Sequence, residues 1–391
     1  MKIGILTGGG DCPGLNSVIY GALLQAFESD HEVIGIEKGW KGFLNNLTRP
    51  LNIAELDDLH TRGGTILFTS RTNPFKEIYK IKDPVEREEA SKKCATELAE
   101  QFSSLGIDVL ITVGGDDTLG VASAIYKYTG AKVIGVPKTI DNDLLGTDYT
   151  FGFWSAVQLA SNTLDNLTTT AHSHQRIFVV EVMGRDAGWL TAVSGISAGA
   201  DIILIPEMPF DFEKDIAMVL KGRAKAGYTH HIIACAEGAV PSQESLKRDF
   251  KFITQEKIDS CPKDVFGNPV LAELNMASII VKELKAREDL KAFFTEKDFE
   301  YEVRSVVLGH TMRAGTPNSF DRVQGLRLGM HAAGLIDTND FGKMVAIKGD
   351  RIETIPLTEG SKKKLIDTDS DIIKLCDLIV RVRYQSKKEL T

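Results

Sequence analysis

The sequence is short of several things, and each shortage narrows the reading. No apolar run in its 391 residues approaches the ~20 that a membrane span needs. The opening Met1-Lys2-Ile3-Gly4-Ile5-Leu6 runs straight into glycine, without the longer apolar core and small-residue cleavage site of a secretory signal, so mature protein is expected from the first residue. The five cysteines (Cys12, Cys94, Cys235, Cys261 and Cys376) are odd in number and form no C-x-x-C pair. They read as free thiols of a reducing cytoplasm, not as a disulfide framework or zinc site. Positive charge is scarce as well: 46 Lys and Arg against 54 Asp and Glu leave a formal charge of −8. That argues against nucleic acid or an anionic membrane surface as a partner. There is no internal repeat, low-complexity tract or Pro-rich linker. His172, His174, His230 and His231 show no metal-ligand spacing with nearby Cys or Asp, and structural or surface roles are expected for them.

What is present is an ordinary globular composition, 43% hydrophobic and 26% charged, in a chain long enough for two domains. Short β-branched runs alternate with helix-period stretches, the pattern of a parallel α/β sheet. Strands are expected at residues 2–6, 33–36, 109–113, 133–136, 177–181, 202–205, 231–236 and 305–308. Between residues 84 and 105 the apolar positions Ala90, Cys94, Leu98, Phe102 and Leu105 fall at helical spacing, with Gly106 as the stop. Residues 212–226, ended by Gly227, repeat that plan. The stretch 242–298 is charged, lacks a clear strand, and reads as a mostly helical excursion, a surface insertion in preference to a regulatory element.

Three loops carry the chemistry. The first strand enters Thr7-Gly8-Gly9-Gly10-Asp11-Cys12-Pro13-Gly14-Leu15-Asn16, followed by a helix from about Ser17. Glycines at a strand-to-helix turn let backbone N–H groups approach an anion, and the helix N-terminus adds partial positive charge. It is neither a Walker A loop, since Leu15 and Asn16 stand where Lys and Ser/Thr should follow, nor a G-x-G-x-x-G fingerprint. A tight turn would explain it equally well. The second loop, Gly114-Gly115-Asp116-Asp117-Thr118, pairs glycine with acid. An acidic group beside a phosphate cradle makes sense if it holds Mg²⁺, and an Asx turn capping the next helix is the plainer alternative. The third, Pro137-Lys138-Thr139-Ile140-Asp141-Asn142-Asp143, sets two carboxylates behind a lysine and a hydroxyl. Phosphoryl transfer to an alcohol needs a carboxylate to accept the hydroxyl proton and cations to hold the phosphates, and Asp141 is expected to be that base. All three loops are expected at the C-terminal ends of parallel strands, where open α/β sheets bind ligands.

With these motifs in order the chain resembles the phosphofructokinases. The resemblance covers nearly the whole sequence: Gly-Gly-Asp-Cys-Pro-Gly-Leu-Asn at 9–16, Gly-Gly-Thr-Ile-Leu-Phe-Thr-Ser-Arg at 63–71, the loops at 114–118 and 137–143, Ser-His-Gln-Arg at 173–176, Met-Gly-Arg-Asp-Ala-Gly at 183–188, Glu237, and Leu-Gly-His-Thr-Met-Arg-Ala-Gly at 308–315. It implies two doubly wound (Rossmann-like) α/β domains with the active site in the cleft between them. One would be a donor-binding domain of residues 1–150 plus about 312–365. The other, of about 151–311 plus 366–391 with the insertion near 242–298, would bind fructose 6-phosphate. It further implies that Gly10 and Arg71 contact the donor phosphates and that Asp116 holds Mg²⁺. Thr139 and Asp141 would meet the reacting hydroxyl, with Asp143 close by. Met183, Gly184, Arg185 and Glu237 would hold the sugar, and Arg176, Arg304, His310 and Arg313 would complete the sugar-phosphate site. In the family Arg176 and Arg304 reach across from a neighbouring subunit, which implies at least a dimer, a homodimer or homotetramer. The five arginines 71, 176, 185, 304 and 313 would then gather the positive charge that the acidic chain otherwise lacks.

Two positions depart from the common ATP-using pattern of the family. Asp117 and Lys138 stand where ATP-dependent members usually have glycine, and both forms are associated with pyrophosphate-dependent members. A carboxylate at 117 fills and repels the place of an α-phosphate: two unit charges ~4 Å apart at an effective dielectric near 20 interact by about 4 kcal/mol. Lys138 would hold the compact pyrophosphate, although some ATP-using members carry a lysine there too. Tyr20 and Leu24 replace the effector-binding arginines of allosteric bacterial members, which removes the basis for the familiar ADP or phosphoenolpyruvate control. The expected reaction is Mg²⁺-dependent transfer from pyrophosphate to fructose 6-phosphate. The rivals are an ATP-dependent phosphofructokinase, a kinase of another substrate such as NAD, and a non-catalytic sugar-phosphate sensor.

Overall fold

Ile3, Ile5, Leu110, Ile111, Val113, Val133, Ile134 and Val136 are all fully buried in the computed structural model, as strands covered on both faces require. The structure describes residues 1–262 and 271–385. By contact the chain divides into Met1–Ala156 with Arg313–Lys364, and Val157–Met312 with Leu365–Thr391. Parts of the expected 242–298 segment and of the expected C-terminal stretch to 391 therefore lie outside the described residues. Among those described, no helix is long and apolar enough to cross a membrane.

The first unit is built on a seven-stranded sheet. Its strands are β1 (Lys2–Thr7), β2 (Glu32–Ile36), β3 (Thr48–Leu51), β4 (Val109–Gly114), β5 (Val133–Pro137), β10 (Lys343–Lys348) and β11 (Arg351–Pro356), in the order β11-β10-β5-β4-β1-β2-β3. The inner pairings are parallel, and only the edge strands β3 and β11 run antiparallel. The helix Pro84–Leu105 has the bounds its sequence predicts. Asp83 caps it by accepting from the Val85 and Glu86 N–H groups, Pro84 opens it, and Gly106 ends it at φ 63°. Its Leu98 and Phe102 pack with Leu119 and Ile125 of the helix Asp116–Thr129 and with Leu6 and Leu110 of the sheet. The first helix begins at Leu15, two residues before its expected start, and lies very close to the helix Ser319–Asp337. A Cβ on Gly21 would sit 2.1 Å from the Leu326 carbonyl oxygen.

The second unit holds the all-parallel sheet β7-β8-β6-β9, with β6 at Arg176–Val182, β7 at Ile202–Leu204, β8 at His231–Ala236 and β9 at Glu302–Val307. β9 starts three residues earlier than expected. The helical stretch after Phe212 is wide-turned over Phe212–Ala217 and regular only over Met218–Lys225. The expectation for 242–298 needs correction. Its described part is helical, but it is not a surface excursion. In the helix Met276–Lys285, Met276, Ala277, Ile280 and Leu284 are fully buried and join Ile177, Val179 and Val303 in the core of this unit. From Ala277 on, the positions recur three and four residues apart and, with Met276, form one apolar stripe, which the charged outer face conceals in a linear reading.

Candidate active site

β5, β4 and β1 are consecutive in the first sheet, and β1 is where strand order changes direction, with β2 on one side and β4 on the other. Ligands of open α/β sheets bind at such a point. The loops at 8–16, 114–118 and 137–143 leave the C-terminal ends of these three strands, so the structure brings together residues that are up to 135 positions apart.

The glycines allow the loops to close on one another. The Gly8 N–H donates to the Val113 carbonyl (2.9 Å), and the Lys138 N–H donates to the Gly114 carbonyl (2.9 Å). Thr118 fills the space between them: a Cβ on Gly8 would lie 2.5 Å from Thr118 Oγ1, and one on Gly114 2.3 Å from its Cβ. The Gly9 N–H donates to Ser70 O (2.9 Å) while Thr69 Oγ1 donates to Gly9 O (2.7 Å). This pairing sets Arg71, which is exposed, beside the glycine loop. Gly9 and Gly10 lie under two cations. Lys138 Nζ is 3.2 Å from where a Gly9 Cβ would be, and Arg313 Nη1 is 2.7 Å from that of Gly10. Lys138 is almost wholly buried, and burial, reinforced by Arg313, holds its ammonium below the usual lysine range. A buried lysine and a half-buried arginine above a bare backbone make a place for an anion.

The acids face the same space. Asp116 opens the helix Asp116–Thr129 and accepts from the Asp117 N–H (2.9 Å), and Asp117 Oδ1 accepts from Asn73 Nδ2 (3.1 Å). In the third loop the Asp141 N–H donates to Thr139 Oγ1 (3.1 Å), and Thr150 Oγ1 donates to the Thr139 carbonyl (2.7 Å). Asn142, at φ 51°, anchors the turn between the two aspartates by accepting from the Thr150 N–H (3.0 Å). Burial first, and then the neighbouring Asp141 and Asp116 charges, push the Asp143 carboxyl up to about 7. Among the described residues no three Asp, Glu, His or Cys side chains form a complete metal-ligand group. The donor set suits Mg²⁺ nonetheless, since this ion is commonly held by one or two carboxylates together with substrate phosphates. The crowding of negative charge at Asp143 is the kind a divalent cation relieves.

The second unit has a parallel arrangement. Met183-Gly184-Arg185 follows β6, Glu237 follows β8, and His310 follows β9, again three neighbouring strands. The Gly238 N–H donates to the Gly184 carbonyl (3.2 Å), and a Cβ on Gly238 would sit 1.9 Å from the Arg185 carbonyl oxygen, so the first two loops interlock. The Met183 N–H points at Met312 Sδ (3.5 Å), Arg185 pairs with Asp186 (3.0 Å), and His310 is exposed. Arg176 and Arg304 are elsewhere. Arg176 is the first residue of β6, at the end of the sheet opposite Met183, and in register with Glu302. At ~3.3 Å per residue the seven-residue strand spans roughly 20 Å. Both arginines pair with Glu302, Arg304 through Nε at 2.8 Å. The fold of one chain therefore does not bring them to Met183, Arg185 and Glu237.

Sequence reasoning passed over several supporting residues. Asn16 donates to the Arg62 and Gly63 carbonyls (both 3.2 Å) and accepts from the Ile66 N–H (2.9 Å), fixing the segment that leads to Arg71. Glu207 accepts from the Gly188 N–H (3.0 Å) and the Ile366 N–H (3.0 Å), bracing the turn after β6. Asn16 and Thr118 lie inside motifs already singled out; Asn73 and Glu207 give no local signal.

Comparison with known proteins points to one family. A family model described as Phosphofructokinase matches residues 2–336. A pyrophosphate–fructose 6-phosphate 1-phosphotransferase of Amycolatopsis methanolica is 43% identical over 362 residues, covering 92% of this chain and 94% of its own. ATP-dependent 6-phosphofructokinase 3 of Streptomyces coelicolor is 40% identical over 362 residues, at 92% and 94% coverage. A pyrophosphate-dependent phosphofructokinase structure from Nitrosospira multiformis shares the fold, with a TM-score of 0.72 at 18% identity over 98% of this chain and 91% of that one. The chain belongs to the phosphofructokinase family.

Proposed function

We propose that the protein catalyses reversible, Mg²⁺-dependent transfer of a phosphoryl group from pyrophosphate to the 1-hydroxyl of fructose 6-phosphate, giving fructose 1,6-bisphosphate and phosphate. The observation that carries the choice of donor is Asp117, a carboxylate held at the mouth of a helix beside the Gly9–Gly10 cradle. In this reading the first unit binds the donor. The Gly10 backbone and Arg71 contact its phosphates, buried Lys138 adds a charge-assisted contact, and Asp117 closes the pocket on the side where an α-phosphate would extend. Asp116 would hold the magnesium ion, which when bound supplies neutralising charge at the transferring group. Asp141 accepts the proton of the attacking hydroxyl, with Thr139 orienting that hydroxyl and Asp143 steadying the loop. Arg313 joins the sugar-phosphate contacts, and Met183, Gly184, Arg185, Glu237 and His310 of the second unit hold the sugar phosphate. Arg176 and Arg304, at the far end of their sheet, serve the site of a neighbouring chain in a cytoplasmic homodimer or homotetramer.

The second reading, an ATP-dependent 6-phosphofructokinase, is supported by the Streptomyces coelicolor relative with that name. The ratio of kcat/KM for pyrophosphate and MgATP decides. The unmodified protein is expected to favour pyrophosphate strongly. Asp117→Gly should raise ATP use and impair the pyrophosphate reaction. Lys138→Gly should damage pyrophosphate use by roughly 10- to 100-fold, as loss of an ionic hydrogen bond worth ~1.5–3 kcal/mol implies. A wild-type ratio in favour of ATP would falsify the donor assignment and leave the sugar kinase intact.

A further inference from the structure

Asp117 lies in the first turn of its helix, where a carboxylate side chain is normally free to swing into solvent. A swinging carboxylate is a poor wall, so the way it is held matters. The holding segment comes from 44 residues upstream. Asn73 Oδ1 accepts from the Phe75 N–H at 2.8 Å, closing an Asx turn, and that bond fixes which way the amide faces. With its oxygen engaged by its own backbone, Asn73 presents Nδ2 to Asp117 Oδ1 at 3.1 Å. The turn is itself anchored. Phe75 is fully buried in the core of the first unit, and its ring stacks on Tyr79 (centroids 6.2 Å apart). The Tyr79 hydroxyl comes within 3.9 Å of where a Cβ of Gly120 would be, so it reaches the same first turns of the helix. Its phenol is pushed up to about 12 by burial and then by the Asp117 charge.

We propose that Asn73 is the positioning residue for donor selection: its amide, locked by the Asx turn over Phe75, holds the Asp117 carboxylate in the place where it closes the donor pocket to anything longer than pyrophosphate. The inference rests on the donor reading above for its meaning, but the coupling between positions 73 and 117 can be measured separately. Asn73→Asp is the informative change. It keeps the size of the side chain and the oxygen that accepts from Phe75, and it replaces the amide donor with an oxygen that repels Asp117. Asn73→Ala removes both contacts.

The experiment compares kcat/KM for pyrophosphate and for MgATP in four proteins: the wild type, Asn73→Asp, Asp117→Gly, and the double variant, with Asn73→Ala as a further check and thermal melting as a control of folding. The expected result is a loss of about tenfold in the pyrophosphate-to-ATP ratio for Asn73→Asp, the scale of one hydrogen bond to a charged group, with less than a twofold further change when Asp117 is already glycine. An equal loss for both donors, or the same effect of Asn73→Asp in the Asp117→Gly background, would overturn the inference and leave the pyrophosphate reading standing. Conversely, a wild-type preference for ATP accompanied by strong 73–117 coupling would sink the donor reading and retain Asn73 as the residue that positions Asp117.

Discussion

At Asp143 a negative charge is placed where it is least comfortable, and the consequence is measurable. In an unfolded chain this carboxyl ionises near 3.8; in the folded one it keeps its proton up to about 7. Between those values the folded state binds a proton that the unfolded state has released, so the contribution of this group to stability is greatest below pH 4 and falls as pH rises toward 7. Asp143→Asn removes that penalty. Without Mg²⁺ or phosphates it is expected to raise the melting temperature at pH 8, on a scale of ~1–3 kcal/mol once solvent access is allowed for, with almost no change at pH 4. Equal shifts at both pH values would show that Asp143 carries no buried-charge strain. The two carboxylates were legible because Asp141 and Asp143 are neighbours in sequence. Their burial, and the Asn73 contact to Asp117, were not, because each depends on residues far along the chain.

Among the elements, legibility followed composition. β1, β4, β5 and β8 are short segments dense in Val, Ile, Leu and Ala and stand out at once. β3 and β11 escaped because both are antiparallel edges, one carrying Pro50 and the other alternating with Arg351 and Glu353. β10 is a buried run ended by Gly349-Asp350, a signal that was present and not used. The helix Met276–Lys285 is the instructive error, since Lys282, Glu283 and Lys285 mask its buried stripe. Leu284→Ala is expected to cost about 2–5 kcal/mol in a urea titration, as for other fully buried leucines, and Lys285→Ala close to nothing. A Leu284→Ala cost under ~0.5 kcal/mol would return the segment to the surface.

For the molecule as a whole, the opening difficulty was an acidic chain that must hold phosphates. In the first unit the answer is local: Lys138 and Arg313 lie over bare glycine backbone. In the second, Arg176 and Arg304 are not part of that gathering within one chain, since Arg176 opens β6 at the end opposite Met183 and both arginines pair with Glu302. If a neighbour's site uses them, mixing Arg176→Ala with Asp141→Ser subunits should restore activity, to about a quarter of wild type for a freely exchanging dimer. Activity that stays absent despite proven subunit exchange would mean a site made from one chain only. The resemblance in sequence pointed to this arrangement; strand periodicity could not, since it says nothing of which end of a sheet a residue serves.

Glu302 gives that arrangement a thermodynamic edge. It engages both Arg176 and Arg304, so in a solitary chain both guanidiniums are already paired with an internal anion. Under the proposed sharing, an incoming sugar phosphate would have to displace this carboxylate while touching two chains at once. Ligand and assembly are then reciprocally linked: sugar phosphate acts as a cement between subunits, and its apparent affinity declines as the protein is diluted toward separate chains.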